Sequence, residues 1–266
     1  MLIFCSTIAA LLYLLCAFAP QRPDLRNGGV LLAWLLQAGF LWQQSFVPGG
    51  LRLGFAVVLS LTMWVSVAAW LLENRNLALD GLRVLMLPVA AVSCLLPLAF
   101  PGALQLLEHK SPLFGWHILI AILAYASLTI AVFHAVLMAL QESRLHARQG
   151  QESWFGAILD RLPALLTMER LLFRLIAIGF TLLSLTVLSG IVFSEQLFGR
   201  PLRFDHKTVF TLLSWFLFGI LLAGRSFRGW RGKTALGFTL SGFGALLLAY
   251  VGSRFVLEVI LHRGSV

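Results

Sequence analysis

Eight apolar runs of roughly bilayer length follow one another along this chain, and short polar segments separate them. A helix needs about 20 mostly apolar residues to cross the hydrocarbon of a membrane. Within the hydrocarbon, only helices and closed barrels satisfy every backbone hydrogen bond. The pattern therefore predicts an all-α fold, a polytopic transmembrane helical bundle of about eight helices. The runs are residues 2–18, 30–46, 53–72, 82–100, 113–140, 172–193, 208–223 and 236–260.

The composition agrees with a membrane protein that has one integral domain. Apolar residues make up 59% of the chain and charged residues 12%, whereas soluble domains average about 45–50% and about 25%. The mean hydropathy is +0.90. We expect a single membrane domain over residues 1–266, because this length suffices for one bundle with short loops. No basic stretch precedes the first run, so we interpret it as a retained helix and not as a signal peptide.

The basic residues predict the orientation of the chain, because Lys and Arg stay on the cytoplasmic side of a membrane. We number the loops in chain order, loop one lying between the first and second apolar runs. The odd-numbered loops and the adjoining helix ends hold thirteen Lys and Arg residues, and the even-numbered loops with their helix ends hold five. This bias places both termini outside the cytoplasm, in agreement with an even number of spans. We interpret the net charge of +9 as a signal of topology. The expected partner is the lipid bilayer, and no nucleic acid is expected.

The longest connection, residues 141–171, has two interpretations. Trp154, Phe155, Ile158 and Leu159 could form the apolar face of a helix that lies on the membrane surface. A solvated linker is the alternative. In either case the predicted orientation places this segment on the cytoplasmic side.

Histidines within or beside the spans are candidates for chemistry, because ionisable groups in a membrane are costly and mark functional sites by default. His117 lies about one turn into the fifth run, where a neutral imidazole is a suitable axial ligand for haem iron. Its neighbour Trp116 either stacks on a porphyrin or anchors the helix at the membrane interface. His134 lies 17 residues further along, about 25 Å away on the helix axis. We expect it to hydrogen-bond a neighbouring helix.

The polar loop before the seventh run contains Asp205, His206 and Lys207 in succession. In one interpretation, Asp205 caps the next helix, with Thr208 three residues later at the helix start. In the other, His206 binds iron and the basic residues of the loop face the haem propionates. The two interpretations are compatible. These basic residues are Arg200, Arg203 and Lys207.

Motifs for catalysis are not found in the chain. It has no H-E-x-x-H, no serine nucleophile elbow and no pair of carboxylates within a span. Cys5, Cys16 and Cys94 lie in apolar runs and form neither C-x-x-C nor C-x-x-C-H. We therefore expect neither an enzyme nor a c-type cytochrome.

Five motifs between residues 116 and 254 point to a known family. They are W-H-I-L-I-A-I-L-A-Y-A-S-L at 116–128, M-E-R-L-L-F-R-L-I-A-I-G-F-T-L-L-S-L-T-V-L-S-G at 168–190, F-D-H-K-T-V-F-T-L-L-S-W at 204–215, G-W-R-G at 229–232 and A-Y-V-G-S-R at 249–254. Together they resemble the cytochrome c assembly family, CcsA- and CcmC-like membrane proteins that handle haem. Within it, the similarity is to the YpjD-type branch of bacterial inner-membrane proteins, and it covers nearly the whole chain.

The resemblance implies an outward-facing haem site, with haem b as the cofactor. His117 matches the first of two histidines that flank the haem in the family. His262 matches the second of these histidines to within about one residue. Judged by its position alone, a histidine near the end of a chain is usually solvated. Asp205 and Lys207 match the end of a tryptophan-rich loop motif, and Trp215 matches a later tryptophan. The implied iron ligands are His117 with either His206 or His262.

The chain also departs from the family pattern. Residues 193–204 contain no tryptophan, although members that handle haem have a tryptophan-rich loop there. Ala223 stands where the family has an internal histidine before the G-W-R-G turn. These departures count against an internal, second haem site.

The sequence therefore supports two alternative functions. The first is a haem-binding, multi-pass protein of the bacterial inner membrane that acts in cytochrome c-type assembly with other assembly proteins, without an enzymatic step of its own. The second is a non-haem accessory or regulatory subunit, for example of an ion transporter, that keeps the frame of the family.

Overall fold

The structure is a computed structural model, and it describes residues 2–18, 23–48, 50–74, 79–106, 112–146, 154–198, 205–256 and 259. Each of the eight predicted apolar runs is helical over most of its described residues, which confirms the all-α prediction. The helices are α1 Leu2–Phe18, α2 Pro23–Ser45, α3 Phe55–Glu73, α4 Asp80–Ala99, α5 Pro112–His146, α6 Trp154–Leu159, α7 Leu165–Phe198, α8 His206–Arg228, α9 Gly232–Leu247 and α10 Ser253–Phe255.

Six of these helical segments are long and apolar enough to cross a membrane: α3, α4, most of α5 and α7, α8, and the segment from α9 to α10. The apolar helix α1 has 17 residues, and α2 begins with the polar sequence P-D-L-R-N-G-G. The prediction of eight spans, the predicted orientation of the termini and the single domain remain predictions.

A small antiparallel sheet, which the sequence analysis did not predict, lies at one end of the bundle. Its strands are β1 Phe46–Val47, β2 Gly50–Leu53 and β3 Ala103–Leu106, in the order β1-β2-β3. The sheet follows α2 and α4 and precedes α3. The ring of Phe55, the first residue of α3, contacts Phe255 at the end of α10 with centroids 5.4 Å apart. We call this the sheet end. Because successive long helices reverse direction, α5 and α8 also begin there, and the other end is called the opposite end.

The buried residues form two apolar cores. The first lies mainly among α1 to α4, with Tyr13, Trp70 and Met86 among its fully buried side chains. The second lies among α5, α7, α8 and α9, around residues such as Leu128 and Phe218. The helices that carry most of the predicted site residues therefore belong to the second half of the bundle.

Buried polar side chains join the helices of the first half. The Tyr13 hydroxyl donates to Gln37 Oε1 at 2.7 Å, and Gln37 Nε2 donates to the Ser60 hydroxyl at 3.0 Å. Trp34 and Trp64 stack with centroids 4.6 Å apart, and each indole N–H donates to the backbone carbonyl of the other residue. These bonds link α1, α2 and α3, and such contacts matter in a bilayer because helix association there has little hydrophobic driving force.

The longest helices, α5 and α7, pack closely against each other in the second half. A Cβ atom on Gly179 of α7 would lie 2.6 Å from Leu128 Cδ2 of α5, so only glycine permits this approach. The same pair of helices carries His117 and the residues that face it near the sheet end.

The last predicted run is not one continuous α-helix. After α9, residues Leu248–Gly252 form a π-helical turn before α10. The hydroxyl of Tyr125 donates to the backbone carbonyl of Leu246 at 2.6 Å, just before this turn. A π-turn inserts an extra residue, and such turns occur frequently at functional sites. Here the turn lies at the sheet end and precedes Arg254.

Within the connection of residues 141–171, the predicted helix through Trp154 and Leu159 is present as α6, and its placement on a membrane surface stays a prediction. Ile158 and Leu159 are buried, and Trp154 is half-exposed beside the ring of Phe18. Arg144 donates two hydrogen bonds to Asp160, at 2.8 and 2.9 Å. These bonds lower the pKa of the Asp160 carboxyl.

The G-W-R-G sequence forms a tight turn between α8 and α9. Gly229 ends α8 in the left-handed conformation (φ 66°), and its N–H and that of Trp230 donate to the last carbonyls of α8. Gly232 (φ 52°) begins α9. Only glycine adopts such φ values without strain. The Trp230 indole lies against Gly224 and beside Phe238, with the two rings 5.0 Å apart.

We predict that Gly224→Ala destabilises the protein. The added Cβ would overlap the Trp230 ring, and overpacking of this kind costs about 1–3 kcal/mol. Gly237→Ala is the matched control, because nothing lies within 4 Å of the Cβ position at Gly237 in α9. Thermal unfolding in detergent measures both variants. Equal unfolding temperatures of the two variants would contradict the role given to Gly224.

Candidate functional site

His117 lies near the start of α5, half-buried, and faces α7. Its Nδ1 atom is 2.7 Å from the hydroxyl oxygen of Ser189, and this hydroxyl donates its own hydrogen to the carbonyl of Thr186 at 3.1 Å. A hydroxyl has one hydrogen, so when Ser189 donates to Thr186 it accepts from His117, and Nδ1 then carries the imidazole proton. In that tautomer the lone pair of the imidazole lies on Nε2.

A small residue of α7 lies beside this imidazole. A Cβ on Gly190 would be 3.6 Å from His117 Cε1, an ordinary van der Waals distance. Ser189 and Gly190 thus form the surface of α7 against which the ring of His117 packs. An imidazole whose Nδ1–H is bound in this way, with its lone pair on Nε2, is the usual arrangement of a histidine that coordinates a metal.

Trp116 points away from the interior of the bundle. Its side chain is 63% exposed. This position is that of an interfacial anchor, and it also leaves a flat aromatic face at the surface next to His117. This exposure agrees with both predicted roles of Trp116, stacking on a porphyrin and anchoring the helix at the membrane interface.

At the start of α8 the capping interpretation of Asp205 is confirmed. Its backbone is extended (φ −102°, ψ 169°), and its carboxylate accepts from the Thr208 N–H at 2.9 Å and from the Thr208 hydroxyl at 3.0 Å. His206 is the first residue of α8, and its side chain is exposed at the sheet end. The cap fixes where α8 begins and places the exposed imidazole at that point.

Two cations lie close together beside the start of α8. The helix α8 packs against the π-turn that precedes Arg254, so Lys207 and Arg254 lie on neighbouring elements at the sheet end. The Nε atom of Arg254 is buried, and within the described part of the chain it has no hydrogen-bond partner. Sequence reasoning did not single out Arg254 and missed this juxtaposition. Its position at the end of the A-Y-V-G-S-R motif was the sequence signal that could have indicated Arg254.

Trp215 is held against α7 deeper in the bundle. Its indole N–H donates to the Ser184 hydroxyl at 2.8 Å, and its ring stacks on Phe180 with centroids 5.6 Å apart. Ser184 and Ser189 are five residues apart in α7, which is about 7.5 Å along the axis and about 140° around it. The helix α7 therefore positions both His117 and Trp215, on different faces.

The remaining predicted residues of the site, Arg200, Arg203 and His262, lie outside the described residues. In the described part of the chain, no group of three or more His, Cys, Asp or Glu side chains could hold a metal ion.

At the opposite end, His134 bonds a neighbouring helix as predicted. Its buried Nε2 lies 3.4 Å from the carboxylate of Glu73, the last residue of α3. This contact joins α5 to the first half of the bundle.

Glu169, in the M-E-R motif of α7, is a buried carboxylate that sequence reasoning did not single out. It forms ion pairs with Arg225 at 2.5 Å and with Arg231 at 3.5 Å. The guanidinium of Arg225 also lies 4.8 Å from the centroid of the Phe173 ring. The M-E-R and G-W-R-G motifs therefore meet in one ion-pair cluster that joins α7, α8 and α9.

A small cavity lies beside this cluster. Its volume is about 30 Å³, which is room for one or two water molecules. Its polar lining comes from Glu142, Glu169 and Lys233, and small residues such as Ala135 and Ala139 leave the space. The cavity can hydrate the buried carboxylate, and it is too small for a cofactor.

We predict that Glu169→Gln destabilises the protein by about 3 kcal/mol, because breaking a buried pair leaves an arginine without its counter-charge. Glu142→Gln is the control, since Glu142 makes no ion pair with the described residues. The double variant Glu169→Gln with Arg225→Gln should recover part of the loss. Thermal unfolding in detergent reports each change. Equal stability of the two single variants would contradict the stabilising role given to the ion pairs of Glu169.

Comparison with known proteins adds independent information. Over 180 residues the chain is 31% identical to the inner membrane protein YpjD of Escherichia coli K12, covering 66% of this chain and 65% of that protein. It is 30% identical over 103 residues to the cytochrome c biogenesis protein CcsA of Gloeobacter violaceus, covering 39% of this chain and 30% of CcsA. These matches thus span less than two thirds of the length of either relative.

A longer match is found to an uncharacterized 28.8 kDa protein of Azospirillum brasilense, which is 27% identical over 228 residues and covers 83% of this chain and 81% of that protein. No solved structure matches the chain. The family model described as cytochrome C assembly protein matches residues 1–261. With nearly every residue matched, the chain belongs to the cytochrome c assembly protein family.

Proposed function

We propose that this chain is a multi-pass protein of the bacterial inner membrane that binds haem at the sheet end and acts in cytochrome c assembly. Family membership supports the process, since a relative in the family is named a cytochrome c biogenesis protein. The relative named an inner membrane protein, together with six helices long enough to cross a membrane, supports the location. The orientation predicted from the basic residues would place the sheet end outside the cytoplasm.

The observation that carries the haem proposal is the hydrogen bond from His117 Nδ1 to Ser189. This bond orients the imidazole, and in the tautomer with its proton on Nδ1 the lone pair lies on Nε2, the atom that would coordinate iron. A bound haem would supply the iron, and His117 would hold it through its imidazole. Ser189 would be a positioning residue, because it acts on the ligand through His117.

The second axial ligand is proposed to be His206 or His262. His206 is exposed at the first residue of α8, where the Asp205 cap fixes its backbone. An exposed imidazole at the same end of the bundle as His117 is available to a ligand at the surface. His262 rests on the family resemblance alone.

The charges at the sheet end suit the propionate groups of haem. Lys207 and Arg254 are two neighbouring cations, and an anionic ligand would relieve their mutual repulsion. Arg203 is the further candidate from the loop. Since the chain has no C-x-x-C-H motif for covalent attachment, the proposed cofactor is haem b, held without a covalent bond.

The alternative function, a non-haem accessory or regulatory subunit, also has an observation in its favour. Trp215, a tryptophan matched to the haem-handling members, uses its indole N–H to bond Ser184 within the bundle. Together with the absence of tryptophan from residues 193–204, this leaves Trp116 as the exposed indole beside His117. In this alternative, the ion pairs and buried hydrogen bonds serve a frame that binds another protein.

Cytochrome content in cells tests the proposed process. We predict that deletion of the gene lowers the level of c-type cytochromes, measured by haem staining of membrane proteins. The wild-type gene should restore that level and His117→Ala should not. His146→Ala is the control on the same helix, because His146 is exposed and bonds only the backbone carbonyl of Glu142 in the described structure.

Two results of this experiment would count against the proposal. Unchanged c-type cytochromes in the deletion strain would favour the accessory function. Full restoration by His117→Ala, with the variant present at wild-type level in the membrane, would remove His117 from the proposed site.

A further inference from the structure

The turn between α8 and α9, which we call the basic turn (residues 227–233), presents an unusual surface at the opposite end. Phe227 is 88% exposed. The side chains of Arg228, Arg231 and Lys233 are also exposed. An aromatic ring that projects fully from the protein, among three cations, does not belong to either apolar core and plays no part in the proposed haem site.

The backbone of this turn is ordered before any ligand binds. The N–H of Gly229 donates to the carbonyl of Arg225 at 3.2 Å, and that of Trp230 donates to the carbonyl of Gly224 at 3.3 Å. The Trp230 ring packs on Gly224. The cations on either side of this tryptophan therefore lie on a fixed loop, so a ligand loses little affinity to the ordering of the backbone.

The charges around the turn do not cancel. Four cations lie in or directly before it, at positions 225, 228, 231 and 233. The carboxylates that face them are Glu169, paired with Arg225 and Arg231, and Glu142, whose oxygens lie within 4.0 Å of the Cβ position at Gly232. Among the described side chains, an excess of two positive charges therefore remains, and Arg228 and Lys233 carry no ion pair.

The position of the turn limits what can neutralise this excess. The helix α8 and the segment from α9 to α10 are candidate membrane spans, so the residues between them lie at the surface of the bilayer. Lipid phosphates occupy that depth, and exposed aromatic rings favour the interface. Basic residues close to a membrane surface attract anionic lipids, with about 1 kcal/mol for each Lys or Arg.

We infer that the basic turn binds the head group of an anionic phospholipid. Arg228 and Lys233 contact the phosphate, and Phe227 lies among the acyl chains of the same leaflet. The ion pair of Glu169 with Arg225 keeps the turn in place from the protein side. This inference does not depend on haem binding, and its test needs no haem.

The test uses the purified full-length protein in nanodiscs of phosphatidylcholine, with or without about one quarter of phosphatidylglycerol, and measures the thermal midpoint of unfolding. A ligand that binds the folded state raises this midpoint. We expect phosphatidylglycerol to raise the midpoint of the wild type by several degrees. The double variant Arg228→Gln with Lys233→Gln should lose at least half of this increase.

The matched control is Arg170→Gln with Arg174→Gln, which removes two exposed cations from α7 at the same end of the bundle and should keep the full increase. Equal losses in the two double variants would overturn the inference, because they would show a general effect of charge. An absent increase in the wild type would overturn it, as would an equal increase from inorganic phosphate in pure phosphatidylcholine.

Discussion

Hydrocarbon offers no partner for a backbone N–H or C=O group, and this constraint determines most of the structure. It requires helices wherever the chain lies within the membrane. It also removes most of the hydrophobic driving force between them, so that small residues and buried hydrogen bonds join the helices. The Tyr13–Gln37–Ser60 chain and the close approach of α5 to α7 at Gly179 are both consequences.

The helix α7 connects the two ends of the second half of the bundle. Near the sheet end, its Ser189 binds His117. Further along the helix, Ser184 binds Trp215. At its first turns, Glu169 pairs with Arg225 and Arg231. One long helix thus supports both the proposed haem site and the turn proposed to bind lipid, which lie at opposite ends of the bundle.

The positions of the helices were predictable because apolar run length is a strong signal in a membrane protein. The ends of the helices were less predictable. The sixth predicted run begins at residue 172, whereas α7 begins at Leu165. The charges of Glu169, Arg170 and Arg174 interrupt the apolar pattern, and only the structure shows that Arg225 and Arg231 neutralise Glu169. The sheet was missed because its strands have two to four residues.

The candidate site was predictable only in part, for a similar reason. His117 stood out as an imidazole near the end of an apolar run, and Asp205 stood out as a helix cap. Ser189 is 72 residues from His117 in the sequence, and serine in an apolar run is common, so no local pattern indicates their contact. The position of Arg254 relative to Lys207 depends on the π-turn, and the hydropathy pattern does not reveal this turn.

The central claim, that His117 is an axial ligand of haem, is tested most directly by absorption spectroscopy. The detergent-purified protein, expressed with haem supplied, is measured oxidised and reduced, as wild type and as His117→Ala. We predict a Soret band and an α band typical of haem b in the wild type, and their loss or shift in the variant. A wild-type protein without these bands would contradict the account, and the function would then lie with its protein partners.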